Sequence, residues 1–310
     1  MFFGSIVASV TPFLQGEVDL PAFKKMIQYQ LNGKTHGIVV AGSTGEGSML
    51  TMNERENLIK IALQNASAFV PIIAGCSAGS THESLALLRQ AEDLGCSAAL
   101  VIPPYYVRPN PEGIVEHFKK LAEHTSIPII LYNNPSRVGV DLSVDLILEL
   151  ARIPSIVAVK DSHPDLSRLA YLRLGIDSLK QKKKIPHTKP FSILVGDSSS
   201  FAPALALGAD GCISVTANAL PQQSYELYYA WKDQDQEKFA MLRDQLLLLD
   251  KALSHDTNPI PIKYALSKIG LCTHEMRLPL TPLPLAQRHS IDTVLNTLSF
   301  SEKEREEKVA

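Results

Sequence analysis

Residues 155–163 read SIVAVKDSH. The apolar stretch Ile156–Val159 is continuous rather than alternating, which suits a strand covered on both faces, as in a parallel sheet. It then ends on Lys160. Stripping water from an ammonium is costly, so lysine is seldom fully buried, and one at a strand end is ordinarily a solvated terminus. The same design recurs through the chain. Short runs rich in Val, Ile and Ala occur at 4–10 (GSIVASV), 36–42 (HGIVVAG), 70–76 (VPIIAGC), 97–104 (SAALVIPP), 127–133 (IPIILYN), 191–197 (FSILVGD) and 210–216 (DGCISVT). Amphipathic stretches separate them, such as LPAFKKMIQYQLN, NERENLIKIALQNA, THESLALLRQAEDLG and PEGIVEHFKKLAEHT. Eight strand–helix units match an α/β fold, a (β/α)₈ TIM barrel. The alternative is a doubly wound open sheet, which would be unusually wide and lacks a G-x-G-x-x-G after its first strand.

After SVTANALP the strand signal stops, and residues 222–298 carry a helical pattern, clearest in YELYYAWKDQDQEKFAMLRDQLLLLDKAL. The expected organisation is a barrel carrying the site over residues 1–221, a C-terminal helical region over 222–300 and a charged tail, SEKEREEKVA, over 301–310. The basic insertion at 180–190, within LKQKKKIPHTKP, reads as a solvated loop rather than a nucleic-acid patch.

Composition narrows the function classes. With 310 residues, 45% of them hydrophobic, and a formal net charge of −2, the chain can build one large core and has no electrostatic footprint for nucleic acid or an anionic membrane. The opening MFFGSIVASVTPF has no basic n-region or cleavage site and reads as a strand, and no apolar run is long enough to span a bilayer. Cys76, Cys96, Cys212 and Cys272 form no CxxC pair, which favours a reduced, cytoplasmic setting. The nine histidines show no ligand spacing. No metal site and no cofactor are expected.

In a barrel the carboxyl ends of all strands open onto one face, where reactive groups collect. Strand two ends in AGSTGEG, strand four in PPYYVRP, strand five in LYNNPSR and strand six in Lys160. The first is no P-loop, but its glycines present backbone N–H groups beside the Ser43 and Thr44 hydroxyls, a nest suited to a small carboxylate. Tyr132 is either a core aromatic or, next to a reactive lysine, a proton shuttle. Arg137 either makes a rim ion pair or grips a carboxylate with its fixed fork. A partly desolvated lysine has its charged form disfavoured, and the neutral amine can attack a ketone to give a Schiff base. Together these groups fit a covalently bound 2-oxo acid with a second acidic substrate alongside.

The motifs GSTGE, PPYYVRP, LYNNPSR, VAVKDS, GCISVTAN and NPIPIK resemble the dihydrodipicolinate synthase family of pyruvate-dependent class I aldolases, from GSIVASVTPF to RLPLTPL. The resemblance implies condensation of pyruvate with L-aspartate 4-semialdehyde, in lysine and diaminopimelate biosynthesis. Lys160 would form the Schiff base, and Tyr132 would act as general acid/base through Thr44 and Tyr106. Ser43 and Thr44 would bind the pyruvate carboxylate, Arg137 the second substrate, and Gly196 and Ile213 would line the pocket. It further implies a homo-oligomer, a dimer of dimers, with Tyr106 entering a neighbouring protomer's site. Some members bind L-lysine in an interface pocket, for which Ser48, Glu83 and Tyr105 remain as candidate allosteric contacts. Met52, Arg55 and Gly79 stand where lysine-sensitive members tend to carry His, His and Asn, so weak or absent inhibition is expected. Ser43 replaces a common threonine, and Asp161 a usual glutamate. The rival functions are N-acetylneuraminate lyase or a keto-deoxy-sugar-acid aldolase, which share Lys160 and Tyr132, and a non-catalytic 2-oxo-acid-binding regulator.

Overall fold

The structure is a computed structural model that describes residues 1–67, 69–186 and 188–298. Eight parallel strands close into a barrel: β1 (Gly4–Ala8), β2 (Gly37–Val40), β3 (Ile72–Gly75), β4 (Ala98–Val101), β5 (Ile129–Asn133), β6 (Ile156–Asp161), β7 (Ser192–Val195) and β8 (Gly211–Ser214). They pair in chain order, and β8 returns to β1 through registers running from Gly4–Gly211 to Val7–Ser214. Each strand falls inside one of the eight apolar runs. The open sheet is thereby excluded.

The runs are continuously apolar because each strand serves two cores. Ile6, Val39, Ile73, Leu100, Ile130, Ala158, Leu194 and Ile213 fill the barrel interior, while Val7, Ile38, Ile72, Val101, Leu131 and Val159 meet the surrounding helices. Successive side chains of a strand point to opposite faces. Tyr132 therefore shares the inner face with Ile130, and Lys160 shares it with Ala158. An aliphatic layer lies below and a reactive one above, at the carboxyl ends.

Four of the helices between the first strands start where the sequence supplies a cap. Asp19 accepts from the Ala22 N–H ahead of helix Leu20–Asn32, and Thr51 forms a capping box with Glu54 ahead of helix Met52–Asn65. Ser80 and Asn110 cap helices Thr81–Asp93 and Pro111–Ala122. Each such cap contributes about 1 kcal/mol.

Beyond β8 lie helices Pro221–Lys232, Gln236–Leu253, Ile260–Lys268 and Leu285–Thr297. Residues 269–284 depart from the expected helical pattern and hold no helix. Pro279, Pro282 and Pro284 explain this, since proline inside a helix removes an N–H and clashes with the preceding turn. A small hairpin, Phe13–Leu14 against Glu17–Val18, was also unanticipated; its turn residues Gln15 and Gly16 have φ of 54° and 84°.

The basic insertion follows helix Ser167–Gln181 and precedes β7, at the strands' amino ends, opposite Lys160. Lys182, Lys183 and Lys184 are exposed, but Lys189 is buried and donates to the Ala151 and Ile153 carbonyls at 2.5 and 2.6 Å. The loop is thus pinned at its far end rather than wholly solvated. The tail at 301–310 lies outside the described residues. Among the described residues no helix is long and apolar enough to cross a membrane.

Candidate active site

Lys160 is 5% exposed and sits beside Tyr132 in the β5–β6 register. Its Nζ lies 4.2 Å from the centroid of the Tyr132 ring. The lysine stem runs against the backbone at the end of β7. A Cβ at Gly196 would come within 2.8 Å of Lys160 Cε and 1.8 Å of Ser162 Oγ, so a side chain there would displace the lysine. Ile213 faces the same interior from β8. No carboxylate pairs with Lys160 among the described residues. Asp161, on the opposite face, instead accepts from Asn133 at 2.9 Å and faces Arg168 at 3.4 Å, tying β5 to β6 behind the site.

Burial pushes the Tyr132 phenol upward, but the Lys160 charge, a hydrogen bond from Asn134 and the Arg137 charge together carry it below the usual phenol value. Asn134 Nδ2 donates to Tyr132 Oη at 2.9 Å. A phenol so placed is suited to passing protons near the amine.

Ser43 and Thr44 lie on the tight loop after β2. A Cβ at Gly47 would sit 2.0 Å from the Ala41 carbonyl oxygen, and Thr11 Oγ1 donates to Gly45 O at 2.6 Å. Thr44 is buried and Ser43 exposed. Glu46 of this loop has a left-handed φ of 54° and pairs with Lys263 at 2.7 Å, both side chains at 0% exposure. Five residues earlier, Asn258 Nδ2 donates to Thr44 Oγ1 at 3.0 Å. The helical extension thus supplies part of the site. Neither this pair nor Asn134 was singled out from the sequence, although Glu46, Asn258 and Lys263 stand inside the quoted GSTGE and NPIPIK motifs. The expected proton path is not closed within this chain: Tyr132 and Thr44 hydrogen-bond these two asparagines rather than each other. Tyr106 is 93% exposed, with a φ of 72°.

Arg137 Nη2 donates to the Asn258 carbonyl at 2.9 Å. Arg137, Ser43, Ser48, Tyr105, Ser77 and Asn258 line a cavity of about 370 Å³, and Lys160, Tyr132, Thr44, Gly196 and Ile213 are not among its lining residues. Ser48 and Tyr105 therefore share one cavity with Ser43 and Arg137, while Glu83 lies outside it and bonds Ser80. Arg55, at a position where lysine-sensitive members tend to carry His, does not line this cavity. It is 2% exposed and reaches inward to the carbonyls of Gly75, at 2.5 Å, and Ala41, at 3.5 Å. Met52 is 45% exposed. No cluster of three or more metal-ligating side chains occurs among the described residues.

A model of the dihydrodipicolinate synthetase family matches residues 1–298. A 4-hydroxy-tetrahydrodipicolinate synthase of Phenylobacterium zucineum is 38% identical over 94% of this chain and 95% of its own. The crystal structure of dihydrodipicolinate synthase from Aquifex aeolicus superposes with a TM-score of 0.88 at 39% identity, covering 96% of this chain and 99% of that one. The chloride-inhibited dihydrodipicolinate synthase from Acinetobacter baumannii, complexed with pyruvate, gives a TM-score of 0.90 at 39% identity, covering 97% and 100%.

Proposed function

The chain belongs to the dihydrodipicolinate synthetase family, and on that premise we propose the role of each residue in its reaction. The enzyme condenses pyruvate with L-aspartate 4-semialdehyde to 4-hydroxy-tetrahydrodipicolinate, a step of lysine and diaminopimelate biosynthesis. The Lys160 amine adds to C2 of pyruvate and expels water, leaving an imine. Loss of a C3 proton gives the enamine, whose C3 attacks the aldehyde carbon while the aldehyde oxygen takes up a proton. The amino group of the second substrate then displaces Lys160 from C2, closing the ring and freeing the amine. Tyr132 carries the protons, with Thr44 and Tyr106 as further relay groups. Ser43 and Thr44 hold the pyruvate carboxylate, Gly196 and Ile213 bound its pocket, and Arg137 receives the carboxylate of the semialdehyde.

One observation carries this reading: a lysine without a counter-ion, inside the barrel at the carboxyl ends, with its Nζ over a phenol ring. Among the described residues no ion pair offsets the burial of this amine. Steady-state assay of the purified enzyme tests it. Turnover with pyruvate and aspartate semialdehyde, and none of the sugar-acid lyase type with pyruvate and N-acetylmannosamine, is expected. The reverse preference would overturn it.

The assembly belongs to the same proposal. Tyr106 and Val107, 93% and 63% exposed, stand on a loop where Tyr106 and Arg108 both have positive φ. Holding non-glycine residues there costs about 1–3 kcal/mol each. A partner protomer that receives Tyr106 would offset that cost, so the minimal active unit is a dimer, and two dimers make the tetramer. Sedimentation of the wild-type chain as a monomer at micromolar concentration would refute this. The barrel of residues 1–221, completed by the 222–300 extension through Asn258 and Lys263, works in the cytoplasm. L-lysine inhibits it weakly or not at all; inhibition at micromolar lysine would contradict that.

A further inference from the structure

Asn134 stands between a helix start and the catalytic phenol, and its two ends do different things. Its Oδ1 accepts from the Arg137 N–H at 3.2 Å and from the Ser136 hydroxyl at 2.7 Å, capping the short helix Pro135–Val138. The Arg137 N–H can only donate, so the amide cannot be turned over without losing that bond. Nδ2 is thereby aimed at Tyr132 Oη, 2.9 Å away in a contact buried from solvent. Tyr132 is 5% exposed and Asn134 9%.

We propose that Asn134 is a positioning residue that fixes the Tyr132 hydroxyl as an acceptor on this side, leaving its single proton free for the substrate side. The inference rests on the proton-transfer role given to Tyr132 above. A phenol has one donor and can accept as well. With Asn134 occupying an acceptor position, the proton can only be presented elsewhere, and the phenolate left after its transfer keeps a buried donor to stabilise it. The charged groups facing the phenol are Lys160, from β6, and Arg137, from the short helix; both favour its ionised form, as do the Asn134 hydrogen bond and the Ser162 hydroxyl.

Two variants separate this role from the helix cap. Asn134→Asp keeps the capping oxygen but can only accept, so it draws the phenol proton to itself and adds negative charge beside it. Asn134→Leu removes both the cap and the donor without adding charge. The readout is exchange of the pyruvate methyl protons in D₂O, followed by NMR with no second substrate, beside borohydride trapping of pyruvate on Lys160. The expected outcome is exchange slowed about 30-fold or more in Asn134→Asp and about 10-fold in Asn134→Leu. The pyruvate KM stays within about twofold, final trapping is complete, and the basic limb of the pH–exchange profile moves up in both. Exchange at the wild-type rate in Asn134→Asp would overturn the inference, because a cap alone would have been preserved. Equal loss of exchange and of trapping in both variants would overturn it too, assigning Asn134 to building the site. Wild-type protein that neither traps pyruvate nor exchanges its protons would instead bring down the Schiff-base reading, and this inference with it.

Discussion

Lys160 and Lys263 are both buried against the face of an aromatic ring, with Nζ at 4.2 Å from the Tyr132 centroid and 4.3 Å from that of Phe13. Their surroundings differ in one respect. Lys263 meets Glu46 at 2.7 Å with both side chains sealed from solvent, whereas Lys160 faces a phenol and forms no ion pair among the described residues. Burial holds Lys263 below the usual lysine value even though Glu46 pulls it back up. An ion pair in that setting is a tie: it fixes the loop carrying Ser43 and Thr44 to the helical extension. A lone amine at the inner end of a barrel strand is a reagent. Lys189, the third buried lysine among the described residues, is held by two carbonyls and anchors its loop.

Substitutions should separate the three lysines by what they lose. Lys160→Met is expected to lower kcat by a factor on the order of 10⁴ or more, since the nucleophile is gone. Its chemical unfolding should change by less than about 1 kcal/mol, because no buried charge is left unpaired. A stability loss comparable to that of Lys263→Met would erase the distinction between the two lysines. Lys263→Met strands Glu46 in the interior and should cost about 3–5 kcal/mol in denaturant unfolding. Adding Glu46→Gln should recover most of it, and a double variant no better than the single would show that the pair is not the tie. Lys189→Met, which releases two carbonyls near the surface, should cost about 1–2 kcal/mol with activity intact.

The contrast extends to bases buried without a counter-ion that play no chemical part. His117 Nδ1 pairs with Thr81 Oγ1 at 2.9 Å, and burial depresses its pKa to about 4. His36, packed against Tyr225, is likewise lowered to about 4, chiefly by burial. A depressed histidine favours the fold while neutral. Its contribution is complete above the unfolded value near 6.5 and is lost as pH falls toward 4, up to about 3 kcal/mol for His117. The unfolding free energy should decline across that interval, and less steeply in His117→Gln. Parallel curves for the two proteins would remove His117 from this account.

The barrel was legible because its strands, buried on both faces, advertise themselves as unbroken apolar runs. Lys160 and Tyr132 were legible for the same reason: each ends such a run, on the inner phase of the alternation. Residues that act across the chain were not. Asn258 reaches Thr44 over 214 positions and Lys263 reaches Glu46 over 217, and no local pattern encodes either contact. Asn134 was hidden differently, since an Asn before Pro reads as a turn or cap and its second hydrogen bond cannot be inferred from that. The inward turn of Arg55 to backbone carbonyls was likewise hidden, because no local pattern says which way a long side chain turns.

Which buried amine captures a keto carbon is the decisive point. Incubating the wild-type enzyme with pyruvate, reducing with borohydride and mapping the added mass by peptide mass spectrometry addresses it directly. Modification of the peptide bearing Lys160, with Lys189 and Lys263 unlabelled, is the predicted result; an unlabelled Lys160, or the label on another lysine, would contradict it.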